Sequence, residues 1–71
     1  MEDKQAICDA LAATLKLTRN QNDIAWIDYI KDDRSCLEIA VIAYENGTKK
    51  IVNVTADSGI AMIRDIMKVI D

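Results

Sequence analysis

Two apolar runs rich in β-branched residues, CLEIAVIAYE and TKKIVNVT, flank the dipeptide Asn46-Gly47. An Asn-Gly pair between such runs is the strongest short-range signal for a β-hairpin closed by a two-residue turn. The hairpin, residues 36–55, is therefore the element against which the rest of the chain must pack. A two-residue turn sets Glu45 opposite Thr48, Ala43 opposite Lys50, Val41 opposite Val52 and Ile39 opposite Val54, because strand pairing counts outward from the turn. On that count Leu37, Ile39, Val41, Ala43, Val52 and Val54 form an apolar core face. Glu38, Ala40, Ile42 and Tyr44 share the opposite face with Lys49, Ile51, Asn53 and Thr55.

Residues 24–31, IAWIDYIK, are β-branched and aromatic with no turn former, which predicts a strand with apolar groups on both faces. Asp28 decides its orientation, since an unpaired carboxylate beneath the helices is costly. With Asp28 outward, Ala25, Ile27 and Tyr29 enter the core, while Ile24, Trp26 and Ile30 join the outer face. The expected outer patch is Ile24, Trp26, Ile42, Tyr44 and Ile51.

The flanks read as amphipathic helices. Residues 2–17 place Ile7, Ala10, Leu11, Thr14 and Leu15 at helical spacing, with Cys8 on the shoulder of the stripe, where a free cysteine behaves as a small buried hydrophobe. Glu2 and Asp3 suit its positive end and Lys16 its negative end. Residues 56–71 place Ile60, Ile63, Ile66, Met67 and Ile70 on one side and Arg64, Lys68 and Asp71 on the other. The connections are short: residues 18–23 read as a loop and Asp32-Asp33-Arg34-Ser35 as a turn, in preference to a metal site that would need further oxygen ligands. The expected fold is α+β, in the order α-β-β-β-α: a three-stranded antiparallel meander with two helices packed on one face. It is one domain over residues 1–71, small enough that a partner subunit would add useful stability.

Composition narrows the function. Histidine is absent, and Cys8 and Cys36 lack CxxC spacing, so zinc ligation and histidine acid/base chemistry drop out. No nucleophile–base pair or cofactor motif can be assembled, so neither an enzyme nor a bound cofactor is expected. Twelve acidic residues against nine basic ones, the basic ones scattered, disfavour nucleic-acid binding. No apolar run approaches the ~20 residues that cross a membrane, and Met1-Glu2-Asp3-Lys4 is unlike a signal peptide. The expected location is the cytoplasm, with both thiols reduced and the Asn-x-Thr triplets at Asn46 and Asn53 accidental. Thr55, Asp57 and Ser58 offer capping side chains for the second helix, and the same strand-to-helix turn, with Thr55, Asp57, Ser58 and Gly59, is a candidate anion site, though it lacks a Gly-rich fingerprint and an adjacent lysine.

The element order is similar to that of the double-stranded RNA-binding domain. That family grips phosphates with a lysine-rich cluster at the start of its second helix, where this chain reads Ala56-Asp57-Ser58-Gly59-Ile60. Residues 52–69, VNVTADSGIAMIRDIMKV, together with the Asn46-Gly47 hairpin, resemble small uncharacterised proteins of phages and integrative elements in low-GC Gram-positive bacteria. That resemblance implies a stand-alone accessory protein and no particular activity. Taken together, these expectations describe a protein-interaction module that is a homodimer through its outer sheet face. Another protein as partner, a small ligand or anion at the helix start, and weak RNA binding are the alternatives.

Overall fold

A computed structural model describes residues 3–18 and 23–70. Helix α1 (Lys4–Thr18) precedes strands β1 (Ile24–Lys31), β2 (Glu38–Tyr44) and β3 (Lys49–Asn53), and helix α2 (Gly59–Ile70) closes the order. The strands form an antiparallel meander, β1-β2-β3. The fold is thus the expected α-β-β-β-α arrangement of the α+β class. Glu2, most of the expected loop at residues 19–22, and Asp71 lie outside the described residues.

Both helices begin on side-chain caps. Asp3 Oδ1 accepts the Ala6 N–H at 3.0 Å, and Ser58 Oγ accepts the Ala61 N–H at 3.2 Å, satisfying amides that have no partner within a helix's first turn. Cys8, Ala12 and Leu15 of α1 and Met62 and Ile66 of α2 close over Ile24, Ile27, Ala40, Ile42, Val52 and Val54 as the core. The α1 stripe is centred on Cys8 and Ala12, and Ala10 and Thr14 are exposed. On α2, Met62 takes the central place and Ile60, expected inside, is 74% exposed. Leu15 and Ile66 are buried as expected, and Ile7, Leu11, Met67 and Ile70 pack against the core, so each stripe is shifted only to one side, with Cys8 and Ala12 in place of Ala10 and Thr14 and Met62 in place of Ile60.

The hairpin carries the main correction. Tyr44 N–H donates to the Thr48 carbonyl at 2.9 Å and Gly47 N–H to the Tyr44 carbonyl at 3.0 Å, so the loop has three residues, Glu45, Asn46 and Gly47. A two-residue type I′ turn needs positive φ at both central residues. Here Gly47 has φ +91° and Asn46 is not left-handed; its Oδ1 accepts the Thr48 N–H at 2.9 Å instead. This added loop residue sets Val41 opposite Ile51 and Ala40 opposite Val52. A one-residue slip sends every side chain of a strand to the other face, so Ala40, Ile42 and Tyr44 lie on the helix side, while Ile39 and Val41 lie on the outer side. Leu37, Ile39 and Val41 are therefore not the β2 contribution to the core; Ala43, on their side of the sheet, is buried as expected at 2% exposed but lies outside the core cluster. Val52 and Val54 are in the core as expected.

Strand β1 has an irregularity of its own. Ile24 pairs with Tyr44 and Trp26 with Ala43, so Ala25 is an extra residue in the ladder. This bulge lets Ile24 and Ile27, three positions apart, both reach the core. Asp28 points outward, as the cost of burying it requires.

Because nothing lies within 4 Å of a Cβ built on Gly47, the penalty of an added methyl there is confined to the backbone. Gly47→Ala is expected to lower unfolding stability by about 1–2 kcal/mol, the cost of a left-handed L-residue, read by chemical denaturation.

Candidate functional site

The outer face of the sheet is built by alternation. Trp26, Asp28 and Ile30 project from β1, Ile39, Val41 and Ala43 from β2, and Lys49, Ile51 and Asn53 from β3. The Trp26 indole lies along its own strand, Nε1 donating to Asp28 Oδ2 at 3.1 Å, which confirms the shared face. Lys50 places its ammonium 5.6 Å from the Tyr44 ring on the helix side, so Lys49 belongs to the outer side. Trp26 and Ile30 are each 50% exposed and Ile51 67%, with Ile39 and Val41 half-buried between them. Exposed apolar groups gathered in this way on an uncovered sheet face, with Asp28, Lys49 and Asn53 among them, are characteristic of a binding surface.

Of the five residues expected in the outer patch, Trp26 and Ile51 are there. Ile24 and Ile42 are core residues, 3% and 0% exposed, and Tyr44 is half-buried against the core. The bulge at Ala25 moves Ile24, and the three-residue loop moves Ile42 and Tyr44. Ile30 keeps its expected place. Ile39 and Val41 were missed as patch residues. Their signal was in the sequence, because Glu45-Asn46-Gly47 also fits a three-residue loop with glycine at its left-handed position.

The sheet's edges are guarded. Gln5 of α1 behaves as a surrogate strand: its Oε1 accepts the Tyr29 N–H at 2.9 Å and its Nε2 donates to the Ile27 carbonyl at 3.3 Å. Strand β3, the other edge, is five residues long and carries Lys49 and Lys50. A covered edge and a short lysine-bearing edge both resist strand addition. The face, rather than an edge, is the open surface.

A second cluster sits at the opposite end of β2. The Glu38 side chain is 12% exposed; its Oε1 accepts Lys4 Nζ at 2.6 Å and the Tyr29 hydroxyl at 2.5 Å, and its Oε2 accepts the Ala56 N–H at 2.9 Å. Hydrogen bonds from Lys4, Tyr29 and Ala56 hold its carboxyl down at about 2. The same bond to Glu38, with burial, pushes the Tyr29 phenol up to about 12. Asp57 shows the reverse: a hydrogen bond with the Asp65 carboxyl, then burial, raise its pKa, and its Oδ2 is buried without a partner.

These carboxylates bear on the candidate anion site. Thr55 Oγ1 is engaged by the Glu38 backbone at 3.0 and 3.4 Å, Ser58 caps α2, and the Ala56 N–H is held by Glu38. Thr55, Asp57, Ser58 and Gly59 are thus brought together as a strand-to-helix joint beside the acidic side chains of Glu38 and Asp65. An anion there would meet like charge.

Elsewhere, the Cys8 thiol is pushed up to about 11 by burial and then by the charges of Asp9 and Asp28, which suppresses the reactive thiolate. An open depression of about 330 Å³ is lined by Lys16, Asp23, Ile24 and Glu45. Among the described residues, no group of three or more metal-ligating side chains is assembled, and no helix is long and apolar enough to cross a membrane. Comparison of the chain with family models, curated proteins and solved structures finds no match.

The signs of the two low-pH shifts oppose each other. Glu38, lowered from 4.5 to about 2, contributes stability that is complete above pH 4.5 and lost as pH falls towards about 2. Asp57, raised above 3.8, favours the folded state when protonated and costs stability above that range. Glu38→Gln is expected to lower the melting temperature at pH 7 and flatten its fall between pH 5 and 2, whereas Asp57→Asn raises it at pH 7. Melts followed by circular dichroism across that range provide the check.

Proposed function

We propose that this protein is a small interaction module of the cytoplasm that self-associates as a homodimer through the outer face of its sheet. The observation that carries this reading is the surface of Trp26, Ile30, Ile39, Val41 and Ile51, uncovered by either helix while both sheet edges are guarded. Aromatic residues are enriched at interface centres, and a domain of this size has a thin core to which a second copy would add buried apolar area. The free thiols of Cys8 and Cys36 fit a reducing compartment. The helix start at residues 55–59 offers less support for an anion or RNA phosphate, because acidic side chains surround it.

Size-exclusion chromatography with light scattering at high micromolar concentration should give twice the chain mass. Ile51→Asp, which alters a residue 67% exposed in the monomer, should dissociate the dimer without loss of circular dichroism. Ile42→Asp, by contrast, puts a carboxylate at a position 0% exposed and should unfold the chain. A wild-type protein that is monomeric under these conditions overturns the dimer.

A further inference from the structure

The outer face is self-complementary in charge, and that selects one of the two ways in which such a face can meet a second copy. Strand pairing arranges it in rows. Trp26, Ala43 and Lys49 lie across one row, and Asp28, Val41 and Ile51 across the next. Ile39 follows on β2, paired with Ile30 and Asn53. Aligned sheet packing keeps the strands of two facing sheets within about 30° of each other, so the two-fold axis of the pair runs either along β2 or across it.

An axis across the strands lays β1 on the partner's β1. Centred on the middle row, where the two faces overlap fully, it sets Asp28 against Asp28 of the partner subunit inside an apolar seam, where two carboxylates repel and neither has a cation within reach. An axis along β2 lays β1 on the partner's β3. Trp26 then meets Lys49 of the partner subunit in its own row, and Asp28 lies one row away, about 7 Å along the strand. Trp26 and Asp28 already act as a unit, with the indole Nε1 bonded to the carboxylate at 3.1 Å. An ammonium arriving there finds an aromatic face and a carboxylate together, both of which attract cations.

Resting on the homodimer reading above, we propose that the partner is a second copy docked about a two-fold axis parallel to β2. Lys49 of each chain is received by Trp26 and Asp28 of the other. This isologous contact occurs twice per dimer and sets the register of an otherwise featureless apolar seam.

Charge exchange tests it. Asp28→Lys and Lys49→Glu each put like charges at both contacts of a homodimer, and each variant alone should dimerise about tenfold or more weakly than wild type. Mixed, they restore both contacts: the lysine introduced in one variant faces the glutamate introduced in the other, and the remaining Asp28 faces the remaining Lys49. The equimolar mixture should therefore regain the dimer mass. A wild-type monomer overturns this inference together with the homodimer reading. A wild-type dimer whose two variants still dimerise, or whose mixture stays monomeric, overturns the axis alone. If either variant proves unfolded by circular dichroism, cross-linking with a short bismaleimide in a Cys36→Ser background gives the answer. With the axis along β2, Ile39→Cys cross-links to itself; cross-linking only when Asn53→Cys is mixed with Lys49→Cys, both exposed positions, places the axis across the strands and overturns the proposal.

Discussion

The carboxylate of Glu38 joins three separate parts of this molecule. Through it Lys4 of α1, Tyr29 of β1 and the Ala56 amide ahead of α2 converge on the first residue of β2. Its backbone adds a further tie, with the Val54 N–H donating to its carbonyl at 2.9 Å. A charge placed at the margin of an apolar core is tolerated because three donors satisfy it, and removal of any one would leave the others facing an under-compensated carboxylate. The backbone bears part of the cost. Ala56 adopts φ +62°, a left-handed conformation that an alanine takes only when its surroundings impose it, and the bond from its N–H to Glu38 is such a constraint.

This clasp and the surrogate strand made by Gln5 have a joint consequence for the outer surface. Both fix α1 along β1, so the helix that supplies Cys8, Ala12 and Leu15 to the core also occupies the β1 edge. With the helices committed to one side, the Trp26 face is covered by neither of them. Charge within that face is sparse: Asp28 at the β1 side and Lys49 at the β3 side, separated by the apolar column of β2. In the proposed dimer, whose contact would be made largely of Ile, Val and Trp, a single opposed pair does little for affinity and much for register.

How legible this was differs from strand to strand. In β1, Asp28 oriented the strand correctly by the cost of its burial, and only the bulge at Ala25, which placed Ile24 in the core, escaped the alternating pattern. In β2 every side chain was assigned to the wrong face, since both faces are apolar and the pattern has no preference between Ile42 and Val41. The count from the turn was then the sole guide, and it was off by one. The two helices showed their apolar sides in sequence, yet Met62 against Ile60 was decided by how α2 lies on the sheet. Glu38 looked like a solvent-facing residue, because nothing local announces that Lys4, Tyr29 and Ala56 come together around it.

The amino-acid sequence by itself determined the order of elements, the antiparallel meander and the side of the sheet on which Asp28, Trp26, Val52 and Val54 lie, because period, turn residues and charge burial are local properties. Tertiary structure alone decided the three-residue loop at Glu45-Asn46-Gly47, and with it which half of β2 is core and which is surface. The physical reason is that hairpin register carries a period of two and no memory beyond it. When a strand is apolar on both faces, the choice passes to the contacts that only the folded chain can make: Ile42 among Ile27, Met62 and Ile66, and Glu38 within reach of Lys4.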